Sequence, residues 1–214
     1  MKCVAVSDIH MHDVETPPAD LLIVAGDMTY RGKPSELAWY KSWLARQPQR
    51  HKVWIAGNHE LGIEDNEQQA WDIARETDST YLNDSACEID GKKIWGSPIT
   101  PWFFDWAYNR HRGAEIMPHW QMIPEGLDIL ITHGPPMGYV DILMDGKHVG
   151  CDDLLQVVSE KLKQPPKFLI CGHLHHGYGR ATLQRADGQS IEVLNASSCN
   201  EEYQAVNAPL LFEI

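Results

Sequence analysis

Five short apolar runs along the chain break abruptly into polar segments that contain glycine. They occupy residues 3–6, 21–25, 53–56, 127–131 and 168–171. Continuous aliphatic runs of this length are typical of strands buried on both faces, so they predict a central sheet covered by helices. Because ligands of open α/β sheets bind beyond the carboxyl ends of the strands, we expect the polar segments to converge on one site.

Helical spacing appears between these runs. Apolar residues three and four positions apart follow Pro34 and continue to Leu44, which predicts a first helix with proline in its opening turn. Asp65 and Gln68 have the spacing of a capping box, so a second helix is predicted to begin there and to continue through Arg75.

A third helix and two hairpins complete the predicted elements. Asp152 and Asp153 precede an apolar stripe that ends at Leu162, as expected for the acidic first turn of an amphipathic helix. The dipeptides Asp90-Gly91 and Asp187-Gly188 lie between strand-like segments and predict tight hairpin turns. No repeat, low-complexity tract or linker divides the chain, so residues 1–214 are predicted to form a single domain.

The bulk composition is that of an ordinary soluble domain. Apolar residues make up 43% of the chain and charged residues 22%, and neither a run of eighteen apolar residues nor a signal-peptide pattern occurs. The five cysteines are scattered, which favours reduced thiols and a cytoplasmic location. The formal net charge of -12 disfavours binding to long DNA or RNA, whereas a locally positive cleft would still accept a small phosphorylated substrate.

Residues that commonly bind metal ions follow the first three apolar runs. Asp8 and His10 lie two apart where a strand gives way to a loop, so both side chains can turn toward one ion. Asp27 follows a fully apolar run, where a carboxylate is costly unless cations or hydrogen-bond donors meet it. Asn58 and His59 lie in a Gly-Asn-His-Glu tetrapeptide, in which the amide oxygen can bind a metal while the histidine faces a substrate.

Histidines follow the last two runs. His133 lies in a Thr-His-Gly-Pro-Pro segment, and His173 and His175 lie in a Gly-His-Leu-His segment. Imidazole nitrogens suit zinc, iron, manganese or nickel better than magnesium. A single histidine at such a position usually has a structural role, but polar ligands after five successive strands favour a metal site.

Together these motifs resemble those of the calcineurin-like metallophosphoesterases. The matching segments are Asp8-x-His10, Gly26-Asp27, Gly57-Asn58-His59-Glu60, His133 and Gly172-His173-x-His175. The resemblance spans nearly the whole chain and is strongest to the small brain-type members, a branch similar to the class III cyclic nucleotide phosphodiesterases. It implies an α/β fold, a four-layer α-β-β-α metallophosphoesterase sandwich of mixed sheets with covering helices.

The resemblance also implies seven ligands for two divalent transition-metal ions, which would be manganese, iron, zinc or nickel. The ligands implied for the first ion are Asp8, His10, Asp27 and His175. Those implied for the second ion are Asp27, Asn58, His133 and His173. Asp27 would therefore bridge the two ions.

A pair of ions that share one carboxylate predicts hydrolysis of a phosphoester. The pair would orient the phosphoryl group and activate a bridging hydroxide for in-line attack. His59, next to ligand Asn58 but not assigned to a metal, is the candidate for protonating the departing oxygen. The predicted function is a phosphodiesterase for small, cyclic-nucleotide-type substrates. The alternatives are a phosphomonoesterase and a weakly active nucleotide-binding or scaffold protein.

An aromatic segment, residues 102–108, leads into several polar and basic side chains. Trp102 could stack on a nucleobase while Asn109 and Arg110 hold a phosphate, so these three residues are predicted to bind substrate. The alternative is that the aromatic residues only cover the core. The sequence leaves open whether the protein is a monomer or a homodimer.

Overall fold

The computed structural model describes residues 1–214 and contains thirteen strands and five α-helices. The strands are β1 (Lys2–Val6), β2 (Leu21–Ala25), β3 (His51–Ile55), β4 (Thr80–Tyr81), β5 (Ser85–Ile89), β6 (Lys92–Ser97), β7 (Thr100–Pro101), β8 (Asn109–Arg110), β9 (Ile129–Thr132), β10 (Phe168–Cys171), β11 (Gly179–Gln184), β12 (Ser190–Asn195) and β13 (Leu210–Glu213). The helices are α1 (Pro34–Arg46), α2 (Leu61–Asp65), α3 (Gln68–Glu76), α4 (Met117–Gln121) and α5 (Asp152–Gln156).

Two mixed sheets dominate the fold. The first has the order β13-β1-β2-β3-β4, in which β1 to β4 are parallel and β13 is antiparallel. The second has the order β11-β12-β10-β9-β6-β5, with four parallel central strands and an antiparallel strand at each edge. The five apolar runs form β1, β2, β3, β9 and β10, so the strands predicted from them are confirmed.

The two sheets pack face to face, and helices cover their outer faces. Because successive side chains of a strand point to opposite faces, each buried strand supplies two layers of the core. Ala5 and Ile23 of the first sheet belong to one buried cluster with Ile131 and Ile170 of the second. The intervening residues, such as Val24, pack with the helices in a larger cluster. The structure is thus a four-layer α-β-β-α sandwich, and the predicted fold class is confirmed.

The first predicted helix is confirmed, but the second begins later than its capping-box pattern indicated. Helix α1 buries the apolar stripe that ends at Leu44. Asp65 is the last residue of α2, and α3 begins at Gln68 after Glu67. Asp65 cannot cap α3 because residues 61–65 form a helical turn of their own, which closes when Asn66 N–H donates to Gly62 O.

The third helix and both hairpins appear where they were predicted. Helix α5 begins at Asp152 and continues into a π-helical turn, Val157–Lys161. Asp90-Gly91 joins β5 to β6 and Asp187-Gly188 joins β11 to β12, each as an antiparallel pair. None of the helices has both the length and the apolar character needed to cross a membrane.

The sheets meet at the edge where their parallel strands end. Just beyond β1, Ser7 N–H donates to Ala196 O at 2.8 Å, and Ser198 N–H donates to Ser7 O at 2.8 Å. This short parallel bridge ties the end of β1 to the segment that follows β12. Loops from both sheets are therefore brought together at one end of the sandwich.

Candidate metal centre

The loops at this end bring all seven predicted metal ligands together. They follow the strands in the order β1 (Asp8, His10), β2 (Asp27), β3 (Asn58), β9 (His133) and β10 (His173, His175). Six of the side chains are buried and His173 is half-buried. A polar cluster of this kind in a protein interior is costly unless its charges are compensated.

One group of ligand atoms belongs to Asp8, His10 and His175, and these atoms all lie within 4.8 Å of one another. The Nε2 atoms of His10 and His175 are 3.4 Å apart, and His175 Nε2 is 3.4 Å from Asp8 Oδ1. The structure therefore places together three of the four residues implied for the first ion.

A second group comprises Asp27, His133 and His173, whose ligand atoms also lie within 4.8 Å of one another. His133 Nε2 is 3.2 Å from Asp27 Oδ2 and 3.0 Å from Asn58 Oδ1. Asp27 also lies within 4.8 Å of a ring nitrogen of His10. Its carboxylate is therefore next to both groups.

The hydrogen bonds of the histidines test whether this arrangement fits metal ions. His10 Nδ1 is 3.0 Å from Thr29 O, His175 Nδ1 is 2.8 Å from Asn200 O, and His133 Nδ1 is 2.8 Å from Ala25 O. Carbonyl oxygens only accept, so each Nδ1 carries the proton and each neutral ring has its lone pair at Nε2. When both rings are neutral, as metal ligation requires, the Nε2 lone pairs of His10 and His175 face each other at 3.4 Å, and a cation between them would accept both. The donor set fits divalent transition-metal ions.

The electrostatics of the site show how strongly these groups depend on compensating charge. Burial opposes ionisation of Asp8, but His175 and His133 hold its pKa below the usual range, and His133 does the same for the pKa of Asp27. Burial alone would lower the pKa of His133 and that of His175. Asp27 instead raises the pKa of His133 to about 9, and Asp8 raises the pKa of His175 to about 9. Burial and the neighbouring His133 lower the pKa of His173 to about 4.

We expect metal binding to release protons at neutral pH. With a pKa of about 9, His133 and His175 are protonated at pH 7 in the metal-free protein, whereas a ligating imidazole must be neutral. Metal affinity should therefore rise from pH 7 to pH 9, with about two protons released per chain at pH 7. Calorimetry of manganese binding in buffers of different ionisation enthalpy measures this release. An affinity independent of pH over this range would contradict the ligand assignment.

Four of the seven predicted ligands have positive backbone φ angles. They are Asp8 (50°), His10 (40°), Asp27 (54°) and His173 (68°). This left-handed conformation is strained for residues other than glycine, and such strain concentrates at functional sites. The tight turns aim side chains from neighbouring loops at a common point.

Gly172 leaves room for the first group. A β-carbon at this position would overlap Asp8 Oδ2 and Ser7 Oγ. We expect Gly172→Ala to displace the Asp8 carboxylate, to lower the metal content and to lower the free energy of unfolding by about 1–3 kcal/mol. Elemental analysis and urea unfolding measure these effects. Gly134→Ala is the control, because the three atoms nearest to its β-carbon belong to Thr100 and Pro101, and the closest, Thr100 Cγ2 at 3.3 Å, needs to shift by only a few tenths of an ångström. Equal metal content in the two variants would contradict the prediction.

Several side chains that position the ligands were not assigned roles from the sequence. Glu60 is fully buried and accepts hydrogen bonds from Asp27 N (2.9 Å), Gly57 N (2.7 Å) and Thr29 N (3.0 Å). It thereby ties the loop after β2 to the loop after β3. Burial, together with the charge of Asp27, raises the pKa of Glu60 to about 7. Only its place in the Gly-Asn-His-Glu tetrapeptide marked it in the sequence.

Ser197 plays a similar part for Asp8. Its Oγ donates to Asp8 Oδ2 at 2.8 Å, and Asn195 Oδ1 accepts from Ser197 N at 3.1 Å. The backbone N–H of His173 donates to the same Asp8 carboxylate at 2.9 and 3.1 Å. The signal in the sequence was the polar segment after a sixth apolar strand, β12.

His59 lies beside the ligand groups. Its Nδ1 is 2.8 Å from Tyr30 O, and its Nε2 is 3.9 Å from Asp27 Oδ2. The ring packs 4.5 Å from Trp106, measured between centroids. One His59 nitrogen also lies within 4.8 Å of ligand atoms of His10 and Asp27, so its position permits either proton transfer or metal binding.

The three predicted substrate-binding residues have different surroundings. Trp102 lines a cavity next to the ligand groups. Asn109 is buried. Its Nδ2 donates to Thr100 Oγ1 and Ala107 O, and its Oδ1 accepts from the backbone N–H of Phe103. Arg110 pairs with Glu64 at 3.4 Å. Neither Asn109 nor Arg110 lines the cavities beside the ligands, so the geometry gives no support to substrate contact by these two residues.

A central cavity of about 310 Å³ opens over both ligand groups. Asp27, Asn58, His59, His173 and His175 line it. Its remaining lining is Phe103, Phe104, Trp106, Glu201 and Tyr203. The size suits a small ligand.

Comparisons with known proteins agree with this geometry. A family model described as calcineurin-like phosphoesterase matches residues 1–177. Metallophosphoesterase domain-containing protein 1 of Homo sapiens is 39% identical over 99% of this chain and 70% of its own length. A UPF0046 protein of Caenorhabditis elegans is 32% identical over 99% of this chain and 59% of its own length. The crystal structure of TT1561 of Thermus thermophilus has a TM-score of 0.59 at 11% identity, covering 91% of this chain and 88% of TT1561, and it shows the fold alone.

The matching family model and the 39% identical relative define this protein as a metallophosphoesterase. The chain belongs to the calcineurin-like phosphoesterase family. Membership in this family supports metal-dependent hydrolysis of phosphoesters and the use of divalent metal ions.

Proposed function

We propose that this protein is a binuclear metal-dependent phosphodiesterase that acts on small, nucleotide-type substrates, including cyclic nucleotides. The observation that carries the proposal is the position of Asp27 next to two separate groups of ligand atoms. The residues that would hold the first ion are Asp8, His10, Asp27 and His175, and those that would hold the second are Asp27, Asn58, His133 and His173.

His59 has two parts in the proposed reaction, one through its backbone and one through its side chain. When bound, a pair of divalent ions supplies Lewis acidity and lowers the pKa of water. The backbone N–H of His59 donates to Asp27 Oδ1 at 2.9 Å and fixes the orientation of the shared carboxylate. The Nδ1 of His59 bonds Tyr30 O at 2.8 Å, which leaves Nε2 as the atom that can give a proton to the departing oxygen.

The surroundings of the cavity favour a small substrate with a planar group. Phe103, Trp106 and Tyr203 provide aromatic surfaces around the ligand groups. The net charge of -12 repels long polyanions from the general surface, so nucleic acid is not the expected substrate. The five cysteines are unpaired, which supports the proposed cytoplasmic location.

The choice between phosphodiesters and phosphomonoesters is tested by direct assay. Protein loaded in turn with manganese, iron, zinc or nickel would be given bis-p-nitrophenyl phosphate, p-nitrophenyl phosphate, and 2′,3′- and 3′,5′-cyclic nucleotides. We expect faster turnover of the diesters than of the monoester. Turnover of the monoester alone would overturn the proposed specificity. Tight nucleotide binding without turnover under any metal would instead favour a binding or scaffold role.

A further inference from the structure

A second cavity of about 330 Å³ adjoins the central one. Phe103 and His173 line both cavities, so the two cavities lie side by side at the second ligand group. We call the second cavity the apolar slot, and its principal walls are Trp102, Phe103, Pro135, Leu143 and Val149. A cavity of this size with mainly apolar walls is typical of a small-molecule site.

One wall of the slot is held in place by a buried carboxylate. Asp141 is fully buried, and its Oδ2 accepts from Gly138 N and Gly150 N, each at 2.9 Å. Its Oδ1 lies 2.5 Å from His148 Nδ1. The loop that carries Leu143 and Val149 is therefore anchored at three points and forms a wall before any ligand arrives.

A second wall of the slot is the ring of Trp102. Trp102 is 45% exposed, and its ring stacks on His111 at 5.0 Å between centroids. The backbone N–H of Trp102 donates to Arg110 O at 2.8 Å, and the backbone N–H of Phe103 donates to Asn109 Oδ1 at 3.2 Å. Asn109 and Arg110 thus hold the aromatic wall. An aromatic surface fixed in this way favours a planar aromatic partner.

The slot lies on a different side of the central cavity from the side chain proposed to protonate the leaving group. His59 lines a further cavity with Arg31 and Lys33, and that cavity shares no lining residue with the slot. A phosphodiester has two ester groups. If its phosphorus lies in the central cavity, the group beside His59 departs and the group beside His173 stays on phosphorus.

We propose that the apolar slot binds a planar aromatic group on the ester substituent that remains attached to phosphorus. The inference rests on the proposed phosphodiesterase function and specifies its substrate class. In the reaction, the bond from phosphorus to the departing oxygen breaks, and a water molecule supplies the new hydroxyl on phosphorus. His59 gives a proton to the departing oxygen and regains one from the water. The product monoester keeps the group that the slot holds.

Two diesters with the same leaving group test the slot. Benzyl p-nitrophenyl phosphate and methyl p-nitrophenyl phosphate both release p-nitrophenol, so they differ only in the group that is retained. We expect kcat/KM to be about 10- to 100-fold higher for the benzyl ester, because the slot buries the ring. Thymidine 5′-(p-nitrophenyl phosphate) is the third substrate. A faster reaction than with the benzyl ester identifies a nucleobase as the preferred ring, and a slower one identifies a simple aryl group.

A matched pair of variants tests whether the preference for the benzyl ester arises in the slot. Leu143→Trp fills the slot, whereas Met144→Trp adds the same bulk at a neighbouring position that is 74% exposed. We expect Leu143→Trp to abolish the preference for benzyl over methyl, so that kcat/KM becomes equal for the two esters. Met144→Trp should keep both rates. Trp102→Ala removes the aromatic wall of the slot and should also reduce the preference for the benzyl ester.

The experiments distinguish an error in the proposed binding to the slot from an error in the proposed phosphodiesterase function. Equal kcat/KM for the benzyl and methyl esters would contradict the proposal that the slot binds the retained aromatic group, and it would leave the phosphodiesterase function intact. If no diester were hydrolysed, the proposed function would fail, and calorimetry with benzylphosphonate and methylphosphonate would decide about the slot. Tighter binding of benzylphosphonate that is lost in Leu143→Trp would support the slot, and equal binding would overturn it.

Discussion

Asp27→Ala is expected to bind neither metal ion tightly and to lose nearly all phosphodiesterase activity. The substitution removes one carboxylate that lies next to both groups of ligand atoms. It also leaves His133 Nε2, 3.2 Å from the carboxylate in the native protein, without its charge partner. We expect kcat to fall by about 10³-fold, at the upper end of the 10²- to 10³-fold that loss of one electrostatic group typically costs, because the substitution affects both ions. Elemental analysis and the bis-p-nitrophenyl phosphate assay measure the two effects.

Two further variants separate this effect from simple misfolding. Asp27→Asn keeps an oxygen that can accept from the N–H of His59 and suits the positive φ of 54° at this position, but it removes the charge. It should fold and still lose the metals. Asp128→Ala changes a half-buried aspartate just before β9 that pairs with Lys167, and it should keep both metals. Two tightly held ions in Asp27→Asn would contradict the bridging role.

His59→Ala is expected to keep both metal ions and to lose turnover. The ring is tied through Nδ1 to Tyr30 O, and its Nε2 is 3.9 Å from Asp27 Oδ2, farther away than His133 Nε2. Loss of a general acid typically costs about 10²- to 10⁴-fold in rate. The loss should be larger for a diester with an alkyl leaving group than for one that releases p-nitrophenolate, because a good leaving group needs less protonation.

The metal content of this variant separates the two roles that the position of His59 permits. A variant that loses one ion would identify His59 as a ligand in the group with His10 and Asp27. A variant that keeps both ions and the wild-type rate would remove His59 from the reaction. His111→Ala is the control, because this histidine stacks on Trp102 outside the central cavity and should leave metal content unchanged.

The strands that carry the ligands could be predicted from the sequence because burial on both faces leaves a continuous apolar run. The shorter strands β4, β7 and β8 have two residues each and leave no such run. Helix α3 shows the limit of local signals. Asp65 and Gln68 had the spacing of a capping box, but the helical turn α2 already includes Asp65. Glu67, which precedes α3, instead accepts from Asn83 Nδ2 at 2.7 Å.

The clustering of the candidate ligands followed from the strand ends, but their supports did not. Ser197 bonds Asp8 across 189 positions of sequence, a contact that no local pattern predicts. Glu60 lies next to predicted residues, but its role depends on the backbone N–H groups of two separate loops. The expected substrate contact by Arg110 lacks support because the side chain turns to Glu64. Only the folded chain shows which face of a short strand meets the cavity.

A crystal structure of the manganese-loaded protein, with anomalous differences recorded at a wavelength where manganese scatters, tests the central claim most directly. We predict two anomalous peaks per chain, about 3.5–4 Å apart. The Asp27 carboxylate should contact both peaks, and Asp8 and His133 should each contact a different one. A single peak, or two peaks that share no ligand, would contradict the claim that one carboxylate joins two metal ions at the meeting edge of the sheets.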